Sequence, residues 1–295
     1  MSVDAPSPTI EFANLIWRDA PLRLEYQWVG VKRSADPVVV FLHEGLGSVG
    51  MWKDFPEKLC RALGLCGLVF SRYGYGLSTP RPSAERWPTS FMHVQAYDVL
   101  PALFLALDIK HPWLIGHSDG ASIALLYAAR FADAISGIVV MAPHIFVEDI
   151  TIASIAEVCK TYESTNLRDK LGRYHADPDS AFWGWNDVWL DPAFRAWNIE
   201  TELTAITCPV LAIQGEDDEY GTLAQIRGIK CKVAQTKLLM LPECGHSPHH
   251  DQPAAVMQEV TQFIAASNAA STAEKTATGV TCRISGIEMN KQSQN

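Results

Sequence analysis

Two hydrophobic rhythms alternate along this chain. Residues 37–42, 67–71, 112–116, 136–141, 208–214 and 237–241 are compact apolar runs of strand length. In the first, Val38, Val39, Val40, Phe41 and Leu42 follow one another without a polar break, as in a strand covered on both faces. Between the runs lie segments with helical spacing at 51–63, 91–107, 119–131 and 252–266. Near the start, residues 10–17 and 22–29 flank a turn containing Asp19, Ala20 and Pro21, which predicts an antiparallel hairpin.

Strands that alternate with helices imply right-handed crossovers. The expected class is therefore α/β, with a mostly parallel twisted sheet and helices on both faces. The alternation breaks between residues 143 and 205. That stretch is helical in pattern, and Phe182, Trp183, Trp185, Trp189, Phe194 and Trp197 fall within sixteen residues of one another. It predicts a helical cap inserted over the end of the sheet. The expected organisation is a first part of the core at 1–142, the cap at 143–205, and a second part of the core at 206–266. The segment 267–295, rich in Ala, Ser, Thr and Gln, is expected to be a flexible tail.

Composition narrows the partners. Of 295 residues, 48% are apolar and 19% charged, which is a globular balance. The formal net charge of −9 disfavours nucleic acid and anionic membranes, leaving a small molecule as the expected partner and homo-oligomerisation open. No basic-then-apolar leader opens the sequence, and no apolar stretch reaches spanning length. The seven cysteines are scattered, without metal-ligand spacing. A cytoplasmic protein with reduced thiols is expected, with no metal and no cofactor.

The candidate chemistry centres on Gly116-His117-Ser118-Asp119-Gly120, a G-x-S-x-G pentapeptide between a strand and a helix. A sharp turn there lifts the serine hydroxyl clear of the strand end, and the two glycines let neighbouring backbone pass without a Cβ clash. A serine alcohol needs a base. His246, on the loop after the last strand, is the expected one; His249 and His250 read as helix-start or surface residues. The acid belongs on Gly215-Glu216-Asp217-Asp218-Glu219, where one carboxylate is aimed at the imidazole and the others are solvated. The residues alone leave Asp217 and Asp218 both open. The oxyanion needs two N–H donors. Asp119, at the helix start, is one. Gly45, in the turn His43-Glu44-Gly45-Leu46-Gly47, is the other. The Asp119 side chain is expected only to favour the positive helix end.

Together these motifs resemble the α/β-hydrolases of the capped esterase and meta-cleavage-product-hydrolase kind. The resemblance spans about residues 35–266. It rests on the His43 turn, the Arg72-Tyr73-Gly74-Tyr75-Gly76-Leu77-Ser78 segment, the Ser118 elbow, and the loops carrying Asp218 and His246. It implies the α/β-hydrolase fold, a Ser118–His246–Asp218 triad, and an oxyanion N–H from Gly45, the second residue after the turn histidine. The acid's family position, three residues after Gly215, is what points to Asp218. The sequence departs from the family pattern in places. Glu44 stands where Gly is usual, and Ser71 where Asp is common. His117 and Ser247 replace the Asn and Trp typical of carbon–carbon hydrolases of ring-cleavage products. Dehalogenases and epoxide hydrolases of this fold use an Asp nucleophile, which Ser118 contradicts.

The expected activity is hydrolysis of a carboxylic ester of a small apolar or aromatic substrate. The alternatives are carbon–carbon hydrolysis or a low-turnover ligand-binding homologue. Glu44, His144, Trp183 and Trp185 are the candidate pocket residues, though the aromatics also have the character of ordinary core packing.

Overall fold

The computed structural model describes residues 9–30 and 37–288, with side chains described as far as residue 270. The chain begins with the hairpin β1 (Ile10–Trp17) and β2 (Ala20–Val29), followed by β3 (Val38–Leu42). The helical segment expected at 51–63 is divided into a 3-10 turn (Val49–Trp52) and α1 (Phe55–Leu63). Lys53, at φ +54°, separates them, and Pro56 suits the first turn of α1. Next come β4 (Cys66–Phe70), α2 (Phe91–Val94) and α3 (Leu100–Ala106). A π-helical turn (Gln95–Val99) joins the two helices. Pro101 follows this turn and has no N–H to continue the regular ladder.

The remaining core elements are β5 (Trp113–His117), α4 (Asp119–Arg130) and β6 (Gly137–Met141). The chain then leaves the sheet for α5 (Asp149–Ser164), α6 (Leu167–Leu171) and α7 (Pro178–Leu190). It returns as β7 (Val210–Gly215), α8 (Ala224–Lys232), β8 (Lys237–Leu241), α9 (Pro248–Asp251) and α10 (Pro253–Glu288). The hydrophobic pattern did not predict α8, whose segment is polar and carries Gly228 in its middle. The last helix continues beyond residue 266, where the pattern ended it. Residues 267–288 of the expected flexible tail belong to this helix, while the side chains of 271–288 and all of 289–295 lie outside the described residues.

Eight strands form one sheet in the order β1-β2-β4-β3-β5-β6-β7-β8. β4 to β8 run parallel, and the hairpin adds two antiparallel strands at one edge. Both faces are covered, and residue parity decides the side. In β3, Val38, Val40 and Leu42 join the core that includes α3, α4 and α8. Val39 and Phe41 join the opposite core, with Phe55 and Leu59 of α1 and Val256 and Val260 of α10. Because the central strands are parallel, the loops after β3, β5, β7 and β8 all emerge at the same carboxyl edge, where ligands bind in open α/β sheets. No helix among the described residues is long and apolar enough to cross a membrane.

Candidate active site

Ser118 occupies the single residue between β5 and α4, at φ +52° and ψ −119°. Such a backbone costs on the order of 1–3 kcal/mol and persists only where its surroundings impose it. Here the Ser118 N–H donates to the Met141 carbonyl at 2.9 Å, and the Ser118 carbonyl accepts from Ala121 and Ser122 at 2.9 and 3.1 Å. Both flanking glycines are sterically required. A Cβ on Gly116 would lie 2.4 Å from the Gly120 carbonyl, and one on Gly120 would lie 2.0 Å from that of Leu42.

His246 follows β8, and its Nδ1 lies 2.8 Å from Asp218 Oδ1 and 3.0 Å from Oδ2. Asp218 is buried, whereas Glu216, Asp217 and Glu219 are exposed. The carboxylate is held in place by the Gln214 amide at 2.9 Å and the Tyr220 and Gly221 N–H groups at 2.8 and 3.2 Å. Burial pushes the Asp218 carboxyl up. The hydrogen bond and charge of His246, with the Tyr220 N–H, outweigh that and hold it below its ordinary value. Asp218, not Asp217, therefore faces the imidazole. Glu219, expected to be merely solvated, accepts the His246 N–H at 3.2 Å. Beside it, burial and then Asp251 push the Cys244 thiol up to about 11.

The turn after β3 is fixed through one carbonyl. Glu44 O accepts from Gly47 N–H at 3.1 Å, His43 Nδ1 at 2.7 Å and Arg72 Nη2 at 2.8 Å. The His43 tautomer follows from its other nitrogen, which accepts the Arg72 N–H at 3.0 Å. Burial, then the Arg72 charge, keeps this imidazole neutral, well below its ordinary pKa. In a planar trans peptide the N–H points opposite the carbonyl, so anchoring Glu44 O directs the Gly45 N–H the other way. The Asp119 N–H opens α4 and belongs to the first turn, whose donors have no acceptor within the helix.

These groups surround a cavity of about 280 Å³. Ser118, His246, Gly45 and Asp119 form its floor, with Glu44 and His144 beside them. Ile155 and Val158 of α5 and Trp185 and Trp189 of α7 stand over it. Trp183 is not brought here and lines a separate cavity with Arg81 and Trp87. Two residues along a helix are about 200° around its axis, so Trp183 and Trp185 face different ways. His144 is buried, its ring 5.0 Å from that of Trp189 and 5.9 Å from that of His246. Burial, then His246, lowers it to about 3. His249, expected at a helix start or on the surface, lies at the start of α9 and is buried there against Trp52 and Phe55.

The Asp119 side chain departs from expectation most. It is fully buried, accepts the Trp189 indole N–H at 3.1 Å, and lies 3.6 Å from Arg72 Nη2. Burial pushes its carboxyl up against the opposing pull of Arg72 and Trp189. Sequence reasoning missed Arg72 and Trp189 as partners of the elbow, because neither is near it in the chain.

Residues 39–259 match the sequence profile of the Alpha/beta hydrolase family. The chain is similar to Serine hydrolase BPHL of Homo sapiens, with 27% identity over 245 residues covering 77% of this chain and 78% of that protein. It is also similar to the 2-succinyl-6-hydroxy-2,4-cyclohexadiene-1-carboxylate synthase of Citrobacter koseri, with 23% identity over 253 residues, 77% of this chain and 94% of the other. Among solved structures, a thermophilic esterase from Thermogutta terrifontis shares the fold. Its TM-score is 0.68 at 17% identity, covering 88% of this chain and 99% of that one.

Proposed function

The chain belongs to the alpha/beta hydrolase family, and from that premise we propose that it is a serine hydrolase cleaving a carboxylic ester through an acyl-enzyme. The Ser118 hydroxyl attacks the acyl carbon and its proton passes to His246, which then protonates the leaving alcohol. Water, activated by His246, releases the acid and restores Ser118. Asp218 holds the imidazole in the tautomer that receives the serine proton and stabilises the imidazolium. The N–H groups of Gly45 and Asp119 stabilise the oxyanion. The observation that carries this reading is the strained Ser118 in one cavity with His246, whose Nδ1 is hydrogen-bonded to Asp218.

The apolar roof of Ile155, Val158, Trp185 and Trp189 favours a small apolar or aromatic acyl or alcohol group. Carbon–carbon hydrolysis of a ring-cleavage product is the weaker reading, because His117 and Ser247 occupy the positions where such enzymes typically carry Asn and Trp.

A fluorophosphonate probe, with the labelled peptide located by mass spectrometry, tests the nucleophile. The expected result is label on Ser118 that is lost in Ser118→Ala, followed by turnover of aryl or alkyl esters. A folded protein that takes no label and cleaves a ring-cleavage product but no ester would overturn the ester reading.

A further inference from the structure

Two of the departures from the family pattern meet in space. Glu44 replaces the usual glycine of the oxyanion turn, and His117 precedes the nucleophile. His117 Nδ1 lies 3.7 Å from Glu44 Oε2, at ion-pair distance. The carboxylate folds back over its own turn to reach that point. A Cβ on Gly47 would lie 2.3 Å from Glu44 Oε2, so only glycine leaves it room.

His117 Nε2 lies 2.7 Å from the backbone carbonyl of His246. A carbonyl only accepts, so Nε2 carries a hydrogen. In a neutral ring Nδ1 is then a bare lone pair, buried, with no hydrogen-bond partner among the described residues and a carboxylate oxygen in front of it. Glu44 is part-buried on the cavity wall, and two acceptors facing one another there repel. A proton on Nδ1 replaces the repulsion by the attraction of an ion pair.

We propose that His117, protonated on both nitrogens, forms an ion pair with the Glu44 carboxylate and that the two act as a positioning pair that ties the turn carrying Gly45 to the loop carrying His246. The surroundings leave this pair to itself. Arg72, which reaches the Glu44 carbonyl, faces Asp119 as its carboxylate partner. The His246 and His249 rings lie 5.2 and 4.9 Å from that of His117, and the Asp218 carboxylate holds His246 from its far side. His43, His144, His175, His249 and His250 all have lowered pKa values, burial being the largest cause in each, and are neutral near pH 7. Burial raises the Glu44 carboxyl, but the contact with His117 outweighs that and holds it well below its ordinary value. The pair places no group on the reacting atoms. It holds the backbone of the base loop and the side chain of the oxyanion turn in one register.

The test reads the proton directly. In the full chain with 15N-labelled histidine, NMR near pH 7 is expected to show His117 protonated on both nitrogens. In Glu44→Gln it should become a neutral ring carrying hydrogen on Nε2 alone, with the amide donating to Nδ1. A wild-type His117 that is neutral beside an ionised Glu44 would overturn the proposal. Kinetics supply the second readout, resting on the ester-hydrolase reading only for this half. Glu44→Ala should lower kcat by about 10- to 100-fold. Glu44→Gln should recover most of that loss and remove an ionisation from the alkaline limb of the pH profile. An unchanged alkaline limb in Glu44→Gln would count equally against the pair. Absent fluorophosphonate labelling with the doubly protonated His117 intact would sink the enzymatic reading and leave the pair standing.

Discussion

Asp119 accepts the indole N–H of Trp189 at 3.1 Å, a hydrogen bond between the residue after the nucleophile and the helix that roofs the cavity. The bond is fully buried, and its carboxylate also faces Arg72 at 3.6 Å. The nucleophile turn, the Arg72 segment and α7 are thus held through one side chain.

Trp189→Phe keeps most of the ring and removes the donor, leaving a buried carboxylate oxygen short of a partner. The expected cost is about 1–3 kcal/mol in urea denaturation. KM for the best ester should rise as α7 loosens over the cavity. Unchanged stability would mean that Arg72 alone satisfies Asp119.

The two adjacent aspartates should separate cleanly. Asp218→Asn leaves His246 without its carboxylate and should lower kcat by about 10⁴-fold. Asp217→Asn alters an exposed side chain and should stay within a few-fold. Steady-state assays of both variants on one activated ester decide the matter, and equal losses would remove Asp218 from its assigned role.

Trp183 and Trp185 should also behave differently, because only Trp185 lines the cavity with Ser118. Trp185→Ala should shift KM and the preference among acyl groups. Trp183 packs edge-on against Tyr162 and Phe182 at 5.6 and 5.0 Å. Trp183→Ala should cost about 1–3 kcal/mol of stability with near-normal kinetics. A substrate preference that moves with Trp183 instead would show that the roof rearranges during turnover.

Stability should fall with acid in two stages. His144 and His249 are buried, with pKa values lowered from an ordinary 6.5, His144 to about 3. Below pH 6.5 the unfolded chain binds protons on these rings that the native chain does not. Stability therefore drops as pH falls from there, by up to about 1.4 kcal/mol per pH unit for each ring. Asp218 works in a lower window. Its folded pKa lies below the ordinary 3.8, so its contribution is present above that value and is lost as pH falls through the folded one. Thermal unfolding of wild type and His249→Phe between pH 7 and 4 should show a shallower slope in the variant. Parallel slopes would mean that His249 is protonated in the native state.

Much of this protein is determined by local pattern. Unbroken apolar runs become the central strands because only a strand buried on both faces needs no polar side. Gly116 and Gly120 mark Ser118 because the turn demands close backbone approach on either side of it. The order of strands places His246 and an acidic loop at the same edge of the sheet. Other features depend on which distant groups meet. Four acidic side chains on one loop are equivalent in a linear reading; only folding buries Asp218 and turns it to His246. The Ser71 departure makes sense only with Glu25 of β2, whose buried carboxylate accepts the Ser71 hydroxyl at 2.7 Å. The partnerships of Asp119 with Trp189 and Arg72, and of Glu44 with His117, join residues whose separation along the chain carries no periodic signal. Hydrophobic periodicity reports which face a residue buries. Which polar groups share a desolvated site is decided by tertiary packing, where each must find a partner once water has been removed.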